Sequence, residues 1–182
     1  MEKMFVDANQ FLIDSFRLAR KIYENGFHPN FLIGIWRGGT PCGIAVHEYF
    51  RFKGLDPYHT AIKTQSYRGI GERSNKVEIR GLGHVIEVIN SEDNLLLVDD
   101  VFDTGNTIAA VIEEIKKRAR KNTPTIRVAT VYYKPENNQT DLVPDYYVHV
   151  TDRWIVFPHE IEGLTHEEIK QKNQDIYKIL FE

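Results

Sequence analysis

Leu95 to Val98 are four apolar residues in a row, and Asp99, Asp100, Val101, Phe102, Asp103, Thr104, Gly105, Asn106 and Thr107 follow without a break. No other stretch limits the possible folds as strongly. A short run that is apolar at every position, not every second one, describes a strand covered on both faces. Such strands belong to parallel sheets with helices above and below. The small and hydroxyl residues after it open a helix over 106–121, whose last turn is rich in lysine and arginine, as a helix C-terminus favours. Strand, turn and helix in this order form a unit of an α/β domain. The turn sits at the carboxyl end of the strand, where open α/β sheets receive ligands.

The rest of the chain repeats this alternation. Residues 6–25 place Phe11, Leu12, Phe16, Leu18, Ala19 and Ile22 near helical spacing, and Gly26 stops the helix. FLIGI at 31–35 reads as a short buried strand, WRGGTP at 36–41 as a turn, and Pro41 as the first turn of the next helix. Residues 58–64 read as a strand. The polar, aperiodic stretch 65–76 is predicted to be a mobile loop. Residues 84–89, 95–100, 126–133, 145–150 and 154–157 read as further strands. In the tail, Thr165 and Glu168 have the spacing of a capping box at the start of a C-terminal helix. The pattern implies an α/β domain with a mostly parallel central sheet flanked by helices.

Composition narrows the function. Hydrophobic residues make up 42% and charged residues 27%, which suits an ordinary globular core. A net charge of -3 gives no reason to expect a nucleic-acid or anionic-membrane partner. No apolar run approaches the roughly 18 to 20 residues of a membrane span. The N-terminus has no apolar leader and reads as mature sequence, so a cytoplasmic location is the default expectation. Cys42 is the single cysteine, so no internal disulfide forms. No base is placed to activate it as a nucleophile. The histidines lack a metal-binding spacing such as H-E-x-x-H. Asn138-Gln139-Thr140 matches a glycosylation acceptor and is read as chance.

The chemistry of 99–107 follows from its residue types. Period-two geometry sends Asp99 and Asp100 to opposite sides at the strand's end, and Phe102 packs. From Asp103 to Thr107, small residues let backbone N–H groups converge at a helix N-terminus, which makes a cradle for a phosphate monoester. The paired carboxylates suit vicinal sugar hydroxyls and a hydrated Mg²⁺, bound directly or through water. A single Asp would be an unremarked helix cap, but three with Thr-Gly-x-Thr are rare as capping alone. The segment is not a Walker A loop. Gly69-x-Gly71 and Gly81-x-Gly83 do not complete a dinucleotide fingerprint, because Ser74 and Ile86 stand where its last glycine belongs.

A phosphate, a diol and a magnesium ion side by side make a phosphorylated ribose. The four hydrophobic residues, two acids, two spacers and D-T-G-x-T resemble the signature of type I phosphoribosyltransferases, which bind 5-phospho-α-ribosyl pyrophosphate (PRPP). The resemblance runs from about residue 31 to 160, with the N-terminal and C-terminal helices as variable additions. It implies residues 1–182 as a single domain of that fold, with a flexible active-site loop and a small hood formed within 135–165 and by the C-terminal helix. It implies that Asp103 is catalytic, bonding to N7 of a base. Asp99 and Asp100 would hold the ribose and metal, and Asp103, Thr104, Gly105, Asn106 and Thr107 the 5′-phosphate. Arg37, Gly38 and Gly39 match the pyrophosphate loop, where a non-proline cis peptide is looked for at Trp36–Arg37. Ser66 and Tyr67 match the flexible loop, and Glu160 joins Asp99 and Asp100 as a metal residue.

Lys134, Trp154 and Ile155 resemble the base-recognition set of the 6-oxopurine branch, especially its xanthine–guanine members. Lysine only donates, so it favours a carbonyl at C6 over an amino group. Tryptophan offers a ring face for stacking. His159 and Glu160 stand where those members commonly have Trp and Asp, which leaves the choice among guanine, xanthine and hypoxanthine open. The implied partners are PRPP, the purine base or nucleoside monophosphate, and further copies in a homodimer or homotetramer. A nucleotide-sensing regulator of the same fold, or an enzyme for another base, are the alternatives.

Overall fold

The computed structural model describes residues 3–68 and 75–182. In chain order its strands and helices are β1 (Lys3–Phe5), α1 (Ala8–Glu24), β2 (Phe31–Trp36), α2 (Gly39–Phe52), β3 (Tyr58–Arg68) and β4 (Asn75–Arg80). Then come α3 (Gly83–Val88), β5 (Asn94–Phe102), α4 (Asn106–Ala119), β6 (Thr125–Tyr133), β7 (Tyr146–Val150), β8 (Trp154–Val156), α5 (His166–Lys172) and α6 (Gln174–Phe181). The main sheet has the order β4-β3-β2-β5-β6-β7. Its pairings are parallel except β3 with β4. This is the α/β architecture read from the sequence.

The continuous apolar run of β5 is explained by what lies on its two faces. Leu96 and Val98 join Leu18 and Ile22 of α1 and Val46 and Phe50 of α2 in one core. Leu95 and Leu97 join Val85 of α3 and Ile108, Val111 and Ile115 of α4 in the other. Alternate side chains of one strand thus serve opposite layers. From β2 the chain crosses through α2 to β3 on one side. β5 pairs on the other side of β2 and continues through α4 to β6. The gap between the carboxyl ends of β2 and β5 is therefore the switch point where ligands bind in open α/β sheets.

Four expectations are corrected. Residues 84–89 are helical through Val88, not a strand. Leu82, Val85, Ile86 and Ile89 recur at the spacing of a helix face, and they line the second core. The β-branched content had suggested a strand, but the 3.6-residue period decides. The stretch 65–76 is also not all loop. Residues 65–68 continue β3 and pair antiparallel with β4 from Asn75 onward, and the remaining 69–74 lie outside the described residues. β5 does not close at Asp100 but runs to Phe102, paired with Tyr133. The tail is two helices, because the Asn173 side chain accepts from the N–H groups of Asp175 and Ile176 and starts a new one. The Thr165–Glu168 capping box is present.

Strand β1 was not anticipated from the sequence. It pairs parallel with β8 in a separate two-stranded sheet, with Lys3 opposite Trp154 and Met4 opposite Ile155. The Lys3 ammonium also reaches Glu168 at 2.7 Å, so the start of the chain ties β8 to α5.

Candidate active site

The geometry starts from the parallel pairing of β2 with β5, in which Gly34 lies opposite Val98. That register sets the turn after β2 directly against the acids of β5. The Trp36–Arg37 peptide is cis, at the position looked for from the sequence. A Cβ on Gly38 would lie 1.8 Å from Asp100 Oδ2, and one on Gly39 would lie 2.4 Å from the Val98 carbonyl oxygen and 3.0 Å from Asp99 Oδ1. Only glycine permits such an approach. Arg37 extends from this turn toward Glu162, with its side chain 64% exposed.

Asp99 and Asp100 are neighbours in a largely water-excluded place. The Asp99 carboxylate accepts the Asp100 N–H at 3.0 Å. Burial, then the adjacent charge of Asp100, push the Asp99 carboxyl well above the usual carboxylate range. A pair held in this way favours a cation or hydroxyl donors. Two adjacent hard oxygen donors fit magnesium, which takes one or two carboxylates and completes its shell with water and substrate phosphates. Among the described residues, no three His, Cys, Asp or Glu side chains form a metal-binding group. The Glu160 carboxylate accepts the Phe157 N–H at 3.1 Å. The neighbouring residue approaches the pair, with His159 Nε2 3.5 Å from Asp100 Oδ2. The His159 ring is stacked on Phe157.

Beyond β5 the chain enters the turn that precedes α4. Gly105 has φ 77°, the left-handed region that glycine adopts freely. A hollow of about 80 Å³ is lined here by Asp99, Asp103, Thr104, Gly105, Thr107 and Ile108. Asn106 is not among the residues lining the hollow, and its side-chain amide donates to Gln139 Oε1 at 3.0 Å.

Next to it lies a larger cleft of about 340 Å³, bordered by Arg37, Asp103, Lys134, Trp154, Ile155 and Glu160. Lys134 follows β6, and its backbone N–H donates to the Phe102 carbonyl at 2.9 Å. Its side chain is buried and its ammonium sits 3.2 Å from Asp103 Oδ2. Trp154 on β8 is 56% exposed, so its ring remains available to a ligand. Lys3, which the sequence reading had not marked, borders the same cleft. Its signal was hidden because a three-residue strand carries no period.

Residues 31 positions apart in sequence, Asp103 and Lys134, are thus brought into contact. Ser66 and Tyr67 lie on β3 opposite Val77 and Lys76. Their side chains fall outside the described residues. Cys42 is buried, and burial followed by the charges of Asp100 and Asp99 push its thiol well up, which suits an inert core residue.

The family model for the phosphoribosyl transferase domain matches residues 2–164. The chain belongs to the phosphoribosyltransferase family. The match takes in β1 and α1, so the N-terminal helix is part of the shared domain and not an addition outside it. A purine phosphoribosyltransferase from Pyrococcus horikoshii is 32% identical, with 91% of this chain and 98% of that chain covered and a TM-score of 0.68. A hypoxanthine-guanine phosphoribosyltransferase of Streptococcus pyogenes is 24% identical over 153 residues, covering 80% of this chain and 77% of its own length. A Neisseria gonorrhoeae protein solved with bound ppGpp has the same fold, with 22% identity, 96% and 97% coverage and a TM-score of 0.71. Family and relatives bear out the enzyme class read from the sequence, a purine phosphoribosyltransferase. Among the described residues no helix is long and apolar enough to cross a membrane.

Proposed function

We propose that the protein transfers the 5-phosphoribosyl group from PRPP to N9 of a 6-oxopurine, forming the nucleoside 5′-monophosphate and pyrophosphate. The observation that carries this reading is the convergence of Lys134, Asp103 and Trp154 on one cleft beside the phosphate-sized hollow. In this reading Thr104 to Thr107 grip the 5′-phosphate through N–H and hydroxyl donors. Asp99 and Asp100 accept from the ribose hydroxyls. Arg37, Gly38 and Gly39 receive the pyrophosphate. Trp154 stacks on the base, and Lys134 leaves Asp103 to donate to O6. The Ile155 carbonyl accepts from N1–H or a 2-amino group. Asp103 then exchanges the proton at N7 as general base or acid while N9 attacks C1′. When magnesium is bound, the chemistry it supplies is charge neutralisation on the departing pyrophosphate, and Asp99 and Asp100 would hold it. Ser66 and Tyr67 belong to the part of the chain that excludes water from the reacting centre. The same reading takes all 182 residues as one domain, working in the cytoplasm as a dimer or tetramer.

The ppGpp-bound neighbour supports a second reading, in which the hollow and cleft sense a nucleotide without turnover. One assay separates them. The purified protein is incubated with PRPP, Mg²⁺ and, in turn, guanine, xanthine, hypoxanthine, adenine or orotate, and nucleotide is followed chromatographically. Turnover with a 6-oxopurine is expected. Binding of nucleotide with no turnover on any base would leave the sensor reading.

A further inference from the structure

Asp103 has two carboxylate oxygens, and the structure gives each a different partner. Lys134 Nζ lies 3.2 Å from Oδ2, while the Asn137 side-chain amide donates to Oδ1 at 2.8 Å. Asn137 is exposed and belongs to the short turn 135–137 that follows Lys134. Pro135 opens that turn, and the Asn137 N–H donates to the Lys134 carbonyl. The same segment is tied twice more to the phosphate turn. Gln139 N–H donates to the Thr104 carbonyl at 2.9 Å, and Asn106 donates to Gln139 Oε1 at 3.0 Å. Residues 137–139 therefore lie as a strap across 103–106.

We infer that Asn137 is a positioning residue that fixes the Asp103 carboxylate by one oxygen so that the other faces the base. This rests on the proposed transferase reading and extends it. A base that draws Lys134 to its O6 removes the partner of Oδ2. Without a second anchor the carboxylate would then turn about its Cβ–Cγ bond, a soft terminal torsion. With Oδ1 held by Asn137, Oδ2 stays in the plane facing N7 after Lys134 has moved away. The anchor comes from the same short turn as the lysine that reads the base, so base recognition and proton transfer share one support. Because Asn137 is on the surface, no core packing requires it.

The test compares Asn137→Ala and the near-isosteric Asn137→Asp with wild type, using the 6-oxopurine that wild type turns over. A hydrogen bond to a charged group lost only from the reacting arrangement is read as a fall in kcat of between about ten- and a hundredfold. KM for PRPP stays within about twofold, and the melting temperature is unchanged. Asn137→Asp keeps the shape but presents an acceptor to an acceptor, so it falls at least as far as the alanine variant. Wild-type turnover with a kcat of Asn137→Ala within twofold of it would overturn the inference and leave the transferase reading standing. So would rescue by Asn137→Asp, or a fall in kcat matched by a rise in KM for PRPP and a lowered melting temperature. Absence of turnover in wild type itself would instead count against the transferase reading. In that case the inference, which rests on that reading, falls with it.

Discussion

Gly38 and Gly39 are consecutive, yet a single added methyl should injure the protein in two different ways. At Gly39 the new Cβ would meet the Val98 carbonyl oxygen at 2.4 Å and the Asp99 Cα at 3.0 Å. Both belong to β5 backbone, which is hydrogen-bonded to β2 and β6 and has nowhere to retreat. Overpacking of this kind costs about 1–3 kcal/mol. In a chain of this size each kcal/mol lowers the melting temperature by roughly 2–4 °C, so Gly39→Ala should melt about 2–12 °C below wild type. At Gly38 the clash is with the whole Asp100 carboxylate, Oδ2 at 1.8 Å and Cγ at 2.3 Å, so what must give way is a side chain and not the strand backbone. Gly38→Ala should therefore melt within about 3 °C of wild type, by the same scaling. The displaced carboxylate, however, no longer stands where the proposed ribose and metal contacts need it. Losing a charged hydrogen bond of about 1.5–3 kcal/mol corresponds to a ten- to hundredfold rise in the KM for PRPP. Scanning fluorimetry and steady-state kinetics with PRPP varied at saturating base and Mg²⁺ measure the two quantities. A Gly38→Ala enzyme with wild-type KM, or a Gly39→Ala enzyme with wild-type melting temperature, would refute the reasoning from these distances.

Three other perturbations follow from the same geometry. Asp103→Asn should lower kcat by about 10²–10⁴-fold, the usual share of a positioned general base. Its KM for PRPP should stay within a few-fold, as initial rates at varied PRPP would show. Lys134→Met should raise KM for 6-oxopurines by at least about tenfold, the worth of a charged donor, measured with PRPP saturating. Adenine should be affected less. The third concerns pH. Burial alone would raise the Asp14 carboxyl, but hydrogen bonds from His149, Gln10 and Arg17 outweigh it and hold the group below its usual value. A lowered folded-state value means the stabilisation is present above the ordinary carboxylate range and is lost as pH falls through the folded value. Urea unfolding from pH 7 to pH 3 should show this loss in wild type. Asp14→Asn should be less stable at pH 7 by about 1–3 kcal/mol and should show a flatter acid dependence.

What the sequence disclosed, and what it withheld, divides along physical lines. The β5–α4 unit was readable because its apolar run, acids and glycine are contiguous and each has a local cause. The Arg37-Gly38-Gly39 turn was readable for the same reason. The helix at 83–88 was misread because valine and isoleucine favour strands, while a two-turn helix shows its period only through Leu82 and Ile89 at its flanks. β1 could not be seen, since its identity depends on a partner about 150 residues away. The Asp103–Asn137 contact was hidden among Asn137, Asn138 and Gln139, three amides in a row that nothing in the sequence ranks. Only folding shows that the first of them turns toward the carboxylate and the second toward the Leu142 carbonyl.

The small sheet of β1 and β8 stands apart from the six-stranded one, and it carries Trp154 and Ile155. The acids, the phosphate turn and the Arg37 turn all stem from the larger sheet. In the proposed reading the contacts to the base are therefore divided, with Asp103 and Lys134 held at the ends of β5 and β6 and Trp154 and Ile155 on the small sheet. On that reading, substitutions on the ribbon would change the stacking face offered to a base while the turns after β2 and β5 stay as they are. Because β1 pairs only with β8, this edge of the cleft takes form only once segments about 150 residues apart have met.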